Sequence, residues 1–388
     1  MKPISQRLSY LRTSVFDVIA GKARKHQAIN LGQGFPDFPA PQWLLDLGVE
    51  VMSDGRFHQY APFLGLPELR EQIAQNYATY YGPCYQMENE IIITNGATEA
   101  IFSTILALID KGDEVIVLEP FYDSYVSAIL MAGGTPVPVT MGGDDFVIDS
   151  QELKEAFTPQ TKLLIINNPH NPSGKVFSRE ELTTIAKLCL ENDVYVLSDE
   201  VYEFLTFDKR QHLPMASLPQ MQERTITISS IGKTFGVTGW KIGWACAHPD
   251  IIAAIGSVHQ YNTFSVNTPC QRAAALALAR LDVYLPEFRK LYGDKRDLFC
   301  QELKTLGWRP IIPQGTYFVL CPIDHLTQKK DIDFCIELIE DYKIASIPPS
   351  GFYLKSNAGE KYLRFCFAKK DETLLAAIEK IKNYPIER

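Results

Sequence analysis

Between about residue 90 and residue 280 the sequence alternates short β-branched runs with longer amphipathic ones, a pattern few folds satisfy. The strand-like runs are Ile91–Thr94, Glu114–Leu118, Pro136–Thr140, Lys162–Ile166, Val194–Ser198, Thr225–Ser229 and Lys241–Cys246. Helical periodicity fills many of the intervals, over Thr98–Ile109, Tyr122–Met131, Ser150–Phe157, Arg179–Leu190 and Asp250–Tyr261. Such alternation predicts an α/β protein with a mostly parallel central sheet covered by helices on both faces. With 388 residues the chain is longer than one hydrophobic core ordinarily supports. A division into an N-terminal segment (1–45), a large central domain (46–284) and a small C-terminal domain (285–388) is therefore expected, both chain ends contributing to the smaller α/β unit. Its predicted elements are a long helix Leu285–Leu306, strands Thr316–Leu320 and Tyr362–Phe367, and a last helix Asp371–Tyr384.

The formal net charge is -8, and Lys and Arg nowhere cluster beyond a pair or triplet, so nucleic acid is not an expected partner. Apolar runs such as Leu163–Ile166 fall far short of the ~20 residues of a membrane helix, so no membrane association is expected. The opening residues Met1–Leu8 lack the apolar region of a secretory signal. The 8 cysteines are scattered without a Cys-x-x-Cys pair and read as free thiols in a reducing compartment. No His or Cys/His spacing suggests a metal. A cytoplasmic enzyme is the expectation.

In a parallel sheet, ligands collect beyond the carboxyl ends of the strands. After the first strand comes Asn95-Gly96-Ala97-Thr98, a turn into a helix that suits either a phosphate or a simple cap. The fourth is followed by Asn167-Asn168-Pro169-His170-Asn171-Pro172, a rigid double turn presenting Asn171. Asp199-Glu200-Val201-Tyr202 places a carboxylate at the fifth strand end, and Ser230-Ile231-Gly232-Lys233-Thr234 a lysine at the sixth. Gly-Lys-Thr is not a P-loop here, because the first Gly of that motif is absent. No Gly-x-Gly-x-x-Gly follows the first strand, so nicotinamide binding has no support.

Asn-Pro-x-Asn-Pro, Asp-Glu-Val-Tyr and Ser-x-Gly-Lys, in this order, resemble the fold-type-I, pyridoxal 5′-phosphate (PLP)-dependent aminotransferases of class I/II. The likeness runs from Asn30-Leu31-Gly32-Gln33-Gly34 to Tyr362-Leu363-Arg364-Phe365. Glu119–Tyr125, Val258–Ser265 and Arg364–Lys369 are similar to the branch that holds methionine aminotransferases and kynurenine aminotransferases (glutamine transaminase K).

The resemblance implies that Lys233 binds PLP as a Schiff base and then acts as acid and base. It implies Asp199 at the pyridine nitrogen, Asn171 and Tyr202 at the ring hydroxyl, and Tyr122 on the ring face. Gly96, Ala97, Thr98, Ser230 and Lys241 would hold the phosphate, joined by Tyr60 from the second subunit of a homodimer. Arg364 would take the substrate α-carboxylate, and Gly34 would let the backbone approach it. Phe16, where kynurenine aminotransferases carry Trp, would form an apolar side-chain pocket with Tyr60 and Phe264. Transamination between an amino-acid donor and a 2-oxo-acid acceptor, in ping-pong order, is the implied activity. No second Arg for a distal carboxylate is identifiable, so methionine and aromatic amino acids are expected over aspartate. Kynurenine or glutamine transamination with cysteine-conjugate β-lyase activity is the alternative on the same scaffold. A silent PLP-binding regulator module is the alternative from another class, and the joint presence of Lys233, Asp199 and Arg364 stands against it.

Overall fold

The computed structural model describes residue 5 and residues 14–385. Its strands are β1 (Ile29–Asn30), β2 (Ile91–Asn95), β3 (Glu114–Glu119), β4 (Thr135–Gly142), β5 (Val147–Ile148), β6 (Thr161–Asn167), β7 (Tyr195–Asp199), β8 (Thr225–Ser230), β9 (Ile242–Cys246), β10 (Phe318–Pro322), β11 (Ile344–Ala345) and β12 (Tyr362–Cys366). β2 to β9 form one 8-stranded sheet in the order β2-β9-β8-β7-β6-β3-β4-β5. β4, β3, β6, β7 and β8 run parallel, while β9 is antiparallel to both its neighbours and β5 to β4.

This register builds one chemical edge. Asn167 stands opposite Asp199, and Asp199 opposite Ile228, so the carboxyl ends of β6, β7 and β8 are level. Because β9 runs backwards, it is its beginning that lies there, with Ile242 opposite Asn95 and Gly243 opposite Ser230. Lys241, just before β9, is thereby delivered to the edge that the parallel strands reach with their ends.

The core strands are apolar throughout, as strands covered on both sides must be. On one face Ile101 and Ile105 of the helix Gly96–Leu108, Ile129 of Ser124–Ala132 and Ile255 of Pro249–Asn262 pack on Val117, Ile165 and Ile226. On the other, Leu182, Ile185 and Cys189 of the helix Arg179–Glu191 pack on Leu164, Ile166 and Val196. That helix begins with a capping box, Ser178 bonding the Glu181 backbone and Glu181 returning to Ser178.

The chain's two ends meet beside this sheet. β1 pairs in parallel with β11, Ile29 opposite Ile344, and β10 pairs antiparallel with β12. The long helix runs Leu281–Thr305 and starts one turn earlier than its predicted Leu285, since Leu281 and Leu285 are both buried and Pro286 forfeits only its own N–H. β10 begins at Phe318, two residues later than expected. Thr316 adopts a positive φ of 64° and its hydroxyl accepts from the Phe318 N–H, which makes a turn there. Among the described residues no helix is long and apolar enough to cross a membrane.

Gly243 joins the sheet to the edge. A Cβ on it would lie 2.5 Å from the Gly96 carbonyl carbon and 2.6 Å from the Ala97 nitrogen. Gly243→Ala therefore has to push back the start of the helix Gly96–Leu108, and overpacking of this kind costs about 1–3 kcal/mol. Thermal unfolding should show a lowered midpoint with retained secondary structure; an unchanged midpoint would mean that the helix start is free to move.

Candidate active site

At the edge formed by β2, β6, β7, β8 and β9 lies a cavity of about 170 Å³, lined by Gly96, Ala97, Thr98, Tyr122, Asn171, Asp199, Tyr202, Ser230, Lys233 and Lys241 among others. These are the strand-end residues singled out from the sequence, and the fold brings all of them to one place. Each arrives by the same device, a strand running out into a turn or helix at its carboxyl end, with Lys241 entering through the reversed β9.

Asp199 ends β7 and is buried. Its Oδ2 accepts from the Tyr125 hydroxyl at 2.6 Å, and burial is the main cause that pushes its pKa up to about 6. Asn167 donates to the Asp199 carbonyl at 2.8 Å and accepts from the Asn171 N–H at 2.7 Å, so one amide fixes both the carboxylate strand and the double turn. Such a buried carboxylate is suited to a protonated or cationic partner.

Lys233 lies in the short helix Ile231–Thr234 after β8. Burial pulls its pKa down to about 8, with the charges of Arg364 and Lys241 acting in the same direction. Its Nζ donates to the Gly34 carbonyl at 3.1 Å and stands 5.7 Å from the ring centres of both Tyr202 and Tyr317. The Tyr317 hydroxyl shares that carbonyl, donating at 2.6 Å. An amine so poised is part-neutral near physiological pH and can act as nucleophile or base.

Arg364, on β12, is 1% exposed. It donates to Asn171 Oδ1 and to the Gly32 carbonyl, each at 2.8 Å, while its Nε has no partner among the described residues. Its guanidinium lies 4.0 Å from the Phe318 ring centre and 5.2 Å from that of Phe16. No carboxylate among the described residues is within ion-pair distance of it. A buried arginine in that condition is poised for an anionic ligand.

Arg364 touches the cavity through Asn171, and a second place suited to an anion lies in the lining itself. The helix Gly96–Leu108 opens at Gly96, whose φ of +74° is natural to glycine, and a Cβ there would lie 3.1 Å from Lys241 Nζ. A lysine beside free N–H groups of a helix start forms a cup for a phosphate.

Gly34 is placed by its contacts: a Cβ on it would lie 2.6 Å from the Phe318 ring. Phe16 packs on Phe352, ring centres 5.7 Å apart, and its ring centre lies 5.2 Å from the Arg364 guanidinium. Tyr60 and Phe264 lie elsewhere. They pack edge-to-face at 5.1 Å and are 79% and 49% exposed, outside the lining of this cavity.

Tyr125, Asn167 and Tyr317 were not anticipated. Tyr125 follows Tyr122 by three residues, a helical spacing that would have suggested a shared face, although Tyr122 itself precedes the helix. Tyr317 comes from a different part of the chain, and no local pattern announces it.

The residues fit PLP on these observations: an anion cup at one end, a buried carboxylate for the ring nitrogen, an amine of lowered pKa between, and an unpaired arginine beyond. Comparison with known proteins agrees. Residues 26–381 match the family model described as aminotransferase class I and II. A kynurenine–oxoglutarate transaminase of Dictyostelium discoideum is 40% identical over 97% of this chain and 95% of its own length. A methionine aminotransferase of Escherichia coli is 40% identical over 97% of each chain. The solved N-succinyldiaminopimelate aminotransferase of Mycobacterium tuberculosis superposes with a TM-score of 0.95 at 39% identity, over 99% of this chain and 100% of that one. With that geometry and these relatives, the chain belongs to the class I and II aminotransferases, which transfer amino groups with the help of PLP.

Proposed function

We propose that this enzyme transaminates methionine and aromatic amino acids, with Lys233 carrying the cofactor and serving as proton shuttle. The observation that carries the site assignment is the half-buried Lys233, its amine lowered to about 8, sharing one cavity with buried Asp199. PLP, when bound, supplies an aldehyde that condenses with amines and a protonated ring that accepts electrons from the substrate Cα.

The chain's own residues divide the remaining work. Asp199, held by Tyr125, keeps a proton on the ring nitrogen. Asn171 and Tyr202 face the ring oxygen, and Tyr122 covers the ring. Gly96, Ala97, Thr98, Ser230 and Lys241 hold the phosphate. Arg364 turns its unpaired Nε and fork to the donor's α-carboxylate, with the Gly34 backbone close by. The Lys233 amine would take the Cα proton onto Nζ, the donor's amino group would stay with the cofactor, and water would supply the carbonyl oxygen of the departing 2-oxo acid before the acceptor enters.

Phe16 beside Arg364 supports an apolar donor side chain, as does the methionine aminotransferase relative. The exposure of Tyr60 and Phe264 supports a homodimer in which both reach a second copy's site. The pairing of β1 with β11 supports the division proposed above, in which residues 1–45 and 285–388 build a small domain beside residues 46–284. The free cysteines, seven of them buried, support a cytoplasmic setting.

Added PLP should give purified protein a visible absorbance band that Lys233→Ala loses. Because the neutral amine reacts, the rate of PLP uptake should climb with pH and level off above about 8. A rate still climbing past 10, where an ordinary lysine titrates, would contradict the lowered pKa.

Asp199 has the opposite signature in stability. Its folded pKa of about 6 lies above the ordinary 3.8, so its burden on the cofactor-free fold is absent below that ordinary value and grows as pH rises through 6. Asp199→Asn should therefore stabilise the cofactor-free protein at neutral pH, by up to roughly 3 kcal/mol, while costing several orders of magnitude in kcat. Near-normal turnover would refute the role at the ring nitrogen.

Steady-state comparison of donors should give methionine a kcat/KM well above that of aspartate. Equal or better turnover of aspartate would reject the proposed substrate class.

A further inference from the structure

Asp123 stands immediately before the helix Ser124–Ala132, where an aspartate ordinarily turns its carboxylate onto the free N–H groups of the helix. Here it makes no such cap bond. Its Oδ2 instead accepts from the Ser14 hydroxyl at 2.8 Å, across 109 positions of sequence. Ser14 caps the helix Val15–His26, whose second residue is Phe16, the ring beside Arg364. Tyr122, on the other side of Asp123 in sequence, lines the cavity. A half-buried carboxylate thus ties the segment carrying Phe16 to the segment carrying Tyr122. Burial raises its pKa, while the Ser14 bond and then the charge of Arg364 pull it back.

We propose that Asp123, held by Ser14, is a specificity-determining residue: it disfavours donors with a short acidic side chain and admits neutral ones. This rests on Arg364 as the α-carboxylate site. Every donor brings the same α-carboxylate, so whatever Asp123 does to that group cancels between donors, and only the side chain discriminates. Ser14 holds Asp123 at the start of the helix that carries Phe16, so a second carboxylate lying along the Phe16 ring meets its charge, and like charges repel more strongly in a half-buried pocket than in water. A thioether or an aromatic ring meets the faces of Phe16 and Tyr122 without that cost.

The test uses the PLP-loaded enzyme at pH 8, far above the carboxylate range. In Asp123→Asn the ratio of kcat/KM for glutamate to that for methionine should rise about tenfold or more, equivalent to about 1.4 kcal/mol. Asp123→Glu, which keeps the charge, should leave the ratio low. Binding of two acids without amino groups, glutarate and 3-phenylpropionate, read from the cofactor absorbance, should shift in the same direction in Asp123→Asn. If both donors and both acids weaken together and the ratios stay fixed, Asp123 only braces the fold and the proposal fails. Should Asp123→Asn not fold, Ser14→Ala releases the carboxylate without removing it and should raise the glutamate ratio about threefold; an unchanged ratio again overturns the proposal. A wild-type enzyme without methionine turnover would refute the donor class instead, and the binding ratio of the two acids would still decide the role of Asp123.

Discussion

Three cations that lack an ion-pair partner govern this site. Arg364 and Lys369 are buried and Lys233 is half-buried, and none has a carboxylate within ion-pair distance among the described residues. Removing a charge from water is costly unless hydrogen bonds replace the lost hydration. One short stretch of main chain does so: Gly32 offers its carbonyl to Arg364, Gly34 to Lys233, and Gln33 and Phe35 to Lys369 at 3.4 and 2.7 Å. The stretch follows β1 and is held in turn by Asn30, whose side-chain oxygen accepts from the Gly32 and Gln33 N–H groups. Carbonyls compensate a cation only partly, so the site retains a positive balance suited to a phosphate and a carboxylate.

That positive balance is confined by the sheet. Asp199 sits level with Asn167 on one side and with Ile228 on the other; the Tyr125 hydroxyl holds its carboxylate and the Asn167 amide its carbonyl. The carboxylate and the lysine therefore keep their separation without bonding each other. Each is left with an uncomfortable charge, and the lowered pKa of Lys233 and raised pKa of Asp199 are two expressions of the same desolvation. Instability of this kind at a site is commonly what its chemistry draws on.

Much of this was legible before the structure, because the chemistry sits where strands end and strand ends are marked by local patterns. β-branched runs located β2, β3, β6, β7 and β8 to within a residue or two at each end, and reading the next few residues yielded Gly96, Asn171, Asp199 and Lys233. What stayed hidden depends on long-range pairing. Nothing local reveals that β9 is reversed, which is what makes Lys241 a partner of Gly96. Tyr317 reaches Gly34 from 283 positions away, and the Ser14–Asp123 contact spans 109. The helices Val15–His26, Gln42–Met52, Pro67–Tyr80 and Asp331–Glu340 lie outside the strand–helix alternation, and Thr268–Leu278 ends it with no strand to follow, so local pattern marks none of them.

The carbonyl stretch after β1 also places a demand on synthesis. It is among the first parts of the chain to be made, while Arg364 and Lys369, the cations it serves, follow some 332 to 336 positions later. At the usual pace of translation, ~5–20 residues per second, that interval is on the order of 20–60 seconds. For about the last third of it, once Cys246 has been made, every strand of the central sheet is present, and Asp199 and Lys233 stand at an edge that Arg364 has yet to join. The nascent enzyme is thus an open dish before it is a pocket, and its cofactor has its widest access during manufacture.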